Sequence, residues 1–309
     1  MIATEPKLFD LNALRRNRQR AAKSYDKFAF LKDEAAARLA DRVGLMRREF
    51  GLCLDLGAHD GRLWRHLAPL GKIETVLHSD PAAMFALNFF PNCAEYPERP
   101  FAVHDFIALP FADASFDAIF SCLNLHWVDD LPGLVMQIRR LLRPDGLCLI
   151  NLLGGRSLYE LRASLIAAEQ DIAGGFSPRC APMVDIRDVG GLLGRAGLAL
   201  PVADSDRLTV NYPNIFRLME DLRGMGEQNA LLGRIRHPTK RAVFFRAAEI
   251  YKDKFGQVDG SIPASFEIIT LTGWAPHESQ QKPLRPGSAQ TRLASAIGAD
   301  KSASELKGL

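Results

Sequence analysis

Between residues 50 and 151 the chain repeats one pattern: a short apolar run, a turn, a helical stretch, then another apolar run. The runs are Leu52 to Leu56, Thr75 to Ser79, Phe101 to His104, Phe116 to Ser121 and Leu147 to Asn151. Alternation of this kind points to a parallel sheet covered by helices on both faces, because parallel neighbours need a crossover that hairpins do not. In the last crossover, Leu134, Ile138, Leu141 and Leu142 recur at helical spacing, and "RPDG" at 143 to 146 predicts a turn that stops the helix. The expected class is α/β, a doubly wound Rossmann-like sheet.

After residue 155 the alternation weakens. Leu158, Leu161 and Leu165 mark one helix; Ile186, Val189, Leu192 and Leu193 mark another, capped by Asp185 and ended by Gly197. Val202 to Tyr212 and Phe266 to Trp274 read as two late strands, with a helical insertion at about 213–255 between them. The expected organisation is an N-terminal helical segment over 1–49, the sheet domain over 50–281, and a flexible tail over 282–309, where Ser, Ala and Pro abound without an apolar period.

The 309 residues are 47% hydrophobic, enough to bury a full core, and a formal net charge of +3 leaves no footprint of a dedicated nucleic-acid binder. The run Arg15, Arg16, Arg18, Arg20 is local and reads as a solvated helix face. Five scattered cysteines without a C-x-x-C pair argue against disulfide or zinc frameworks and for a reducing compartment. The opening "MIATEPKLFD" lacks the apolar centre of a secretory leader, and no apolar run approaches the roughly 18 residues of a membrane span. A soluble protein of a bacterial cytoplasm is expected, at most peripheral to a membrane complex.

In an open parallel sheet, ligands sit outside the carboxyl ends of the strands. There the chain places "LCLDLGAHDG", residues 52 to 61: Asp55 ends the first strand, Gly57 allows a tight turn, and Gly61 lets the next helix pack close. Asp80 ends the second strand 19 residues after Gly61, the position from which an acid meets ribose hydroxyls. Asp105 ends the third, followed by Phe106, Leu109, Pro110 and Phe111, an apolar set able to sandwich a base. Singly, an acid at a strand end is more often a cap or turn former. Three on successive strands make a site.

"LDLGAHDG", "SDPAAM" and "HDFIALPFADASFDAIFSCLNLHWVDDLPGLVMQIRRLLRPDG" resemble the class I S-adenosylmethionine-dependent methyltransferases, in the branch of the biotin-pathway malonyl-carrier methyltransferase. "GGRSLYELRASLIAAEQDIAGGFSPR", "LLGRAGL", "VNYPNIFRLMEDLRGMGEQN" and "GWAPHESQQKPLRPGSA" resemble one subfamily more closely, that of mitochondrial respiratory complex I assembly factor 5. The resemblance runs from about Phe9 to Ala289. It implies a seven-stranded class I methyltransferase sheet, S-adenosyl-L-methionine as cofactor, and a protein partner, an arginine of a complex I subunit that is methylated or hydroxylated. On matching positions it implies that Asp55, Gly57, His59 and Gly61 line the methionine part of the cofactor, Asp80 the ribose, and Asp105 with Phe106 the adenine. Asn124, His126 and Trp127 would stand beside the sulfonium as the catalytic group. Core packing is an equal reading for Trp127.

The common loop reads D-x-G-x-G-x-G, and here the middle glycine is His59. A histidine tolerates the left-handed region at a cost of order 1 kcal/mol, so the turn survives, with a ring that narrows the pocket or hydrogen-bonds a cofactor carboxylate. His78 and Asp80 have an H-x-D spacing, but with no distal histidine identifiable His78 reads as a packed strand residue and no metal is assigned. Arg156, Glu160 and Arg162 are a charged set near the fifth strand's exit, and His277 with Glu278 a group able to close over the pocket. Three readings stay open: a side-chain-modifying enzyme of complex I assembly, a carboxyl O-methyltransferase, and a non-enzymatic assembly chaperone.

Overall fold

The computed structural model describes residues 7–92 and 100–281, with side chains undescribed at 88–92. The tail expected from Lys282 onward lies outside the described residues. In chain order the elements are α1 (Leu11–Ala21), α2 (Phe30–Leu45), β1 (Phe50–Leu56), α3 (Arg62–Leu67), β2 (Ile73–Ser79), α4 (Ala83–Asn92), β3 (Phe101–Ala102), β4 (Phe116–Cys122), α5 (Leu131–Leu141), β5 (Leu142–Leu153), α6 (Tyr159–Ala173), α7 (Ile186–Gly190), α8 (Leu192–Arg195), β6 (Ala199–Tyr212), α9 (Ile215–Gly224), α10 (Arg241–Phe255) and β7 (Ile262–Trp274). They build a seven-stranded sheet ordered β3-β2-β1-β4-β5-β7-β6, parallel except for β7, which runs antiparallel to both neighbours. This is the expected class I methyltransferase sheet, with α9 and α10 inserted before the last strand.

Period-two alternation splits the strands between two cores. Along β5, Leu147, Leu149 and Leu153 join Leu39, Leu63, Phe266 and Tyr251 on one face, under α2, α3, α6, α9 and α10. Cys148, Ile150 and Leu152 face the other way, against Ile138 of α5 and Leu193 of α8. On α5, Leu134, Val135, Ile138 and Leu141 are at most 1% exposed. Each such burial stabilises the fold by about 1.5–3 kcal/mol before chain entropy is subtracted.

Two local expectations change. Helix α5 does end at Leu141, but "RPDG" lies inside β5: the pairing with β4 jumps from Phe116↔Leu142 to Ala118↔Leu147, and Asp145 takes φ +63°. The extra residues bulge from the strand instead of preceding it. The helix expected from Ile186 is split into α7 and α8 at Gly191, with Asp185 capping α7 by accepting from Arg187 N–H.

Sheet order reverses between β1 and β4: from β1 the chain adds β2 and β3 on one side, then returns to β4 on the other. At that switch point the crossovers leave in opposite directions and open the crevice in which such sheets bind ligands.

Candidate active site

The turn after β1 depends on backbone only glycine supplies. Gly57 has φ +82°, and a Cβ there would lie 1.4 Å from the Asn124 amide nitrogen. Asn124 reaches this place because Leu123, at φ +44°, turns the chain inward just after β4. Its strained conformation is held by Asn151, whose Oδ1 and carbonyl both accept from Leu123 N–H, at 2.8 and 3.1 Å. The Asn124 side chain is fully buried, and neither its oxygen nor its nitrogen has a hydrogen-bond partner among the described residues.

His59 takes φ +50°, the left-handed conformation expected of a residue standing for glycine. Its ring turns inward, 4.7 Å from Phe85 and 5.3 Å from Tyr25 between ring centres. Lys32 of α2, also buried, donates to Gly57 O at 2.7 Å and to His59 Nδ1. Since an ammonium only donates, Nδ1 accepts and the ring proton belongs on Nε2, 3.8 Å from Asp80 Oδ2. Burial first, then the charges of Lys32 and Arg18, hold His59 well below the ordinary imidazole range. Burial lowers Lys32 too, against the pull of nearby acids.

The three acids meet different fates. Asp55 is buried; its Oδ2 lies 3.1 Å from His78 Nδ1 across the β1–β2 register, while Oδ1 has no partner among the described residues. Asp80 is spent on backbone: Oδ1 accepts from Ala82 N–H at 2.8 Å, Oδ2 from His59 N–H at 3.2 Å, and burial raises its pKa above the usual carboxylate value. Asp105 is 46% exposed and ion-paired with Arg15 at 2.6 Å, beside a groove of about 300 Å³. Phe106 is buried in the core against α5's side of the sheet. Gly61, at φ +77°, precedes the six-residue α3, whose entrance is filled by an Arg62–Asp60 pair at 3.0 Å.

His126 and Trp127 converge on a residue that the sequence reading passed over. Glu227 Oε2 accepts from His126 Nε2 at 3.0 Å and from Trp127 Nε1 at 2.5 Å. Trp127 also packs edge-on against Phe9 at 5.2 Å, as its core reading expects. Glu227 is 15% exposed; burial alone would raise its pKa, but His126, Arg18 and Trp127 together bring it below the usual carboxylate value.

The basic run is not a solvated face throughout. Arg18 is fully buried, its guanidinium nitrogens have no hydrogen-bond partner among the described residues, and its ion pair with Glu227 spans 4.0 Å. The signal was present: Leu14, Arg18 and Ala21 share one helical stripe, as Lys32, Ala35, Ala36 and Leu39 do on α2, so each cation sits in a buried row. Glu160 is structural, accepting from Ser265 Oγ at 2.6 Å, and Arg162 donates to the carbonyls of Gly155 and Ser157. His277 lies in a separate C-terminal unit, its Nδ1 2.7 Å from Ser279 Oγ. Among the described residues no group of three or more His, Cys, Asp or Glu could hold a metal ion, and no helix is long and apolar enough to cross a membrane.

Comparison with known proteins agrees with this geometry. A methyltransferase-domain family model matches residues 54–150, from β1 through β5. The chain is 15% identical to the Haemonchus contortus phosphoethanolamine N-methyltransferase 2 solved with S-adenosyl-L-methionine, with a TM-score of 0.52 over 83% of this chain and 57% of that one, a likeness of fold. It is 31% identical to the malonyl-[acyl-carrier protein] O-methyltransferase of Halorhodospira halophila over 86% of this chain and 88% of that protein. It is 40% identical to the human mitochondrial arginine-hydroxylase NDUFAF5 over 91% of this chain and 81% of that one. With that much shared over nearly its whole length, the chain belongs to the NDUFAF5 family of methyltransferase-like enzymes, within the S-adenosylmethionine-dependent methyltransferase superfamily.

Proposed function

We propose that this protein binds S-adenosyl-L-methionine and modifies an arginine side chain of a respiratory complex I subunit during assembly, working in the cytoplasm. The observation that carries the cofactor half is the set of buried polar atoms around the turn with no hydrogen-bond partner among the described residues: Asp55 Oδ1, the Asn124 amide and the Arg18 guanidinium. Leaving such groups unpaired costs about 1–3 kcal/mol each, more for charges, and a zwitterionic amino-acid moiety offers the ammonium and carboxylate they lack. The Gly57 cradle gives that moiety its approach. On this reading Asp55, Gly57, His59 and Gly61 border the methionine part. Asp80 serves the ribose by yielding its contact with His59 N–H, and Asp105 with Phe106 serves the adenine by releasing Arg15.

When bound, the cofactor supplies an electrophilic methyl on a sulfonium. The chain's own part is to hold the acceptor in line, exclude water and move a proton. On this reading His126 serves the last: Glu227 accepts from its Nε2–H, which leaves Nδ1, buried and without a hydrogen-bond partner among the described residues, as the acceptor. His59 fills space over the turn, so its effect falls on affinity.

The test pairs calorimetry with mass spectrometry. Asp80→Ala is expected to weaken S-adenosylmethionine by about 1.5–3 kcal/mol, the range for hydrogen bonds to a charged group. No heat with the folded wild-type protein would sink the cofactor claim. Given S-adenosylmethionine and a reductant, the protein should modify an arginine-containing peptide of a complex I subunit and ignore a malonyl thioester; an added methyl or an added oxygen decides the reaction. Efficient methylation of the thioester would favour the carboxyl methyltransferase reading, and no turnover of either would favour a chaperone.

A further inference from the structure

Beneath α9 and α10 lies a cavity of about 220 Å³, walled by Leu161, Leu165, Met219, Leu222, Phe244 and Phe266, with Trp127 and Glu227 at one side. It is smaller than the roughly 300–1,000 Å³ that takes a drug-sized ligand, so its natural guest is a side chain. Glu227 also borders a void of about 20 Å³ shared with Tyr25, Lys32 and His126, so it stands between the apolar cavity and the polar cluster at the turn.

The two oxygens of Glu227 are not equivalent. Oε2 is taken by two ring N–H donors, from His126 and Trp127, which fix the carboxylate in place. Oε1 accepts no hydrogen bond among the described residues; Arg18, at 4.0 Å, is too far for one. The other cations on the lining offer little competition, since Arg179 is bonded to Glu169 at 2.8 Å and Arg223 is exposed. An apolar sleeve with one rigid, half-used carboxylate at its side matches a long aliphatic stem ending in a planar cation.

We propose that Glu227 Oε1 anchors the guanidinium of the substrate arginine, with the apolar cavity taking its methylene stem. The proposal rests on the arginine-modifying reading above and names the residue that selects for it. A carboxylate guest would meet the Glu227 charge inside, with Arg179 already paired to Glu169, so it would turn to the exposed Arg223; the two guests therefore respond to removal of the Glu227 charge with opposite sign.

The experiment is a binding titration without turnover, using a short capped peptide with one central arginine, its citrulline counterpart of the same shape without the charge, and a malonyl thioester. Wild-type protein is expected to prefer arginine over citrulline by on the order of 10- to 150-fold, the value of one charged hydrogen bond. Glu227→Gln, which keeps an acceptor for Trp127, should lose most of that preference, and the Trp127 indole N–H resonance should shift on adding the arginine peptide to wild type. Equal binding of the two peptides, binding of neither, or a preference that survives Glu227→Gln overturns the proposal, as does a variant that binds the malonyl thioester more tightly while Arg223→Ala weakens it. A Glu227-dependent preference in a protein that gives no heat with S-adenosylmethionine would leave the anchor standing and remove the cofactor reading. Turnover of the peptide with the preference intact in Glu227→Gln would do the reverse.

Discussion

Two regions meet at the carboxyl ends of the strands, and they are built from opposite materials. Around the turn after β1 the buried side chains are polar and charged: Lys32, Asp55, His59, Asp80 and Asn124 lie within one cluster under the N-terminal helices. Beneath α9 and α10 the lining is leucine, methionine and phenylalanine with Glu227 at the side. The first region is held by specific donors and acceptors, so its energy depends on protonation and on backbone angles. The second is held mainly by close packing, where lost apolar area matters more than protonation. A polar cluster suits a small charged cofactor and an apolar sleeve suits a side chain, the division on which the proposed function and its arginine anchor rest.

The comparison breaks most visibly at Gly57. Alanine there carries left-handed strain and meets Asn124, including its Cβ at 2.8 Å, so rotating the side chain cannot make room. We expect a loss of about 4 kcal/mol or more in urea unfolding, from strain and overpacking together. Gly174→Ala, at φ +71° with nothing within 4 Å, is the matched control; it should lose only about 1 kcal/mol.

On the apolar side, Leu218→Ala removes a fully buried side chain from α9. A loss of about 3 kcal/mol is expected, equal at neutral and mildly acid pH, since no titrating group changes. A pH-dependent loss would show that the two regions are not independent.

Acidification sharpens the contrast from the other side. The folded His59 ring refuses a proton that the unfolded chain accepts near pH ~6.5. Stability contributed by the neutral ring is therefore complete above that pH and falls below it, by at most about 1.4 kcal/mol per pH unit. His59→Gln should flatten this part of the curve. The acid limb set by Glu169 and Glu227, both held below the usual carboxylate value, should remain, because their stabilisation is lost only as pH falls through that lower range. The smallest effect is expected at the half-exposed Asp105 ion pair, where removing Arg15 should change stability by less than about 1 kcal/mol.

How much of the site was legible follows from how each residue is placed. Asp55, Gly57, His59, Asp80, Asp105 and Asn124 sit at strand ends within a few residues of a turn, where local spacing fixes position once the sheet is known. Lys32 and Arg18 carried a weaker trace, a cation in a buried helical stripe. Glu227 carried none, because nothing about "GMGEQN" says what lies opposite. It is brought to His126 and Trp127 by segments remote in sequence: Phe9 bridges Leu231, Asp10 N–H donates to Ala230 O at 2.7 Å, and Leu8 and Phe9 both donate to Asp129.

The sequence by itself determined the sheet, because period-two apolar runs and helical crossovers admit few arrangements; the motifs at the strand ends pointed to the methyltransferase class and those of the carboxyl half to the family. Tertiary structure decided which polar groups are occupied. Asp80 is a potential ribose ligand in the sequence, yet its oxygens lie on two backbone N–H groups. Arg18 reads as a surface cation and lies buried. A side chain's partners depend on what packs against it from distant elements, and periodicity records which way a residue faces but not what it meets there.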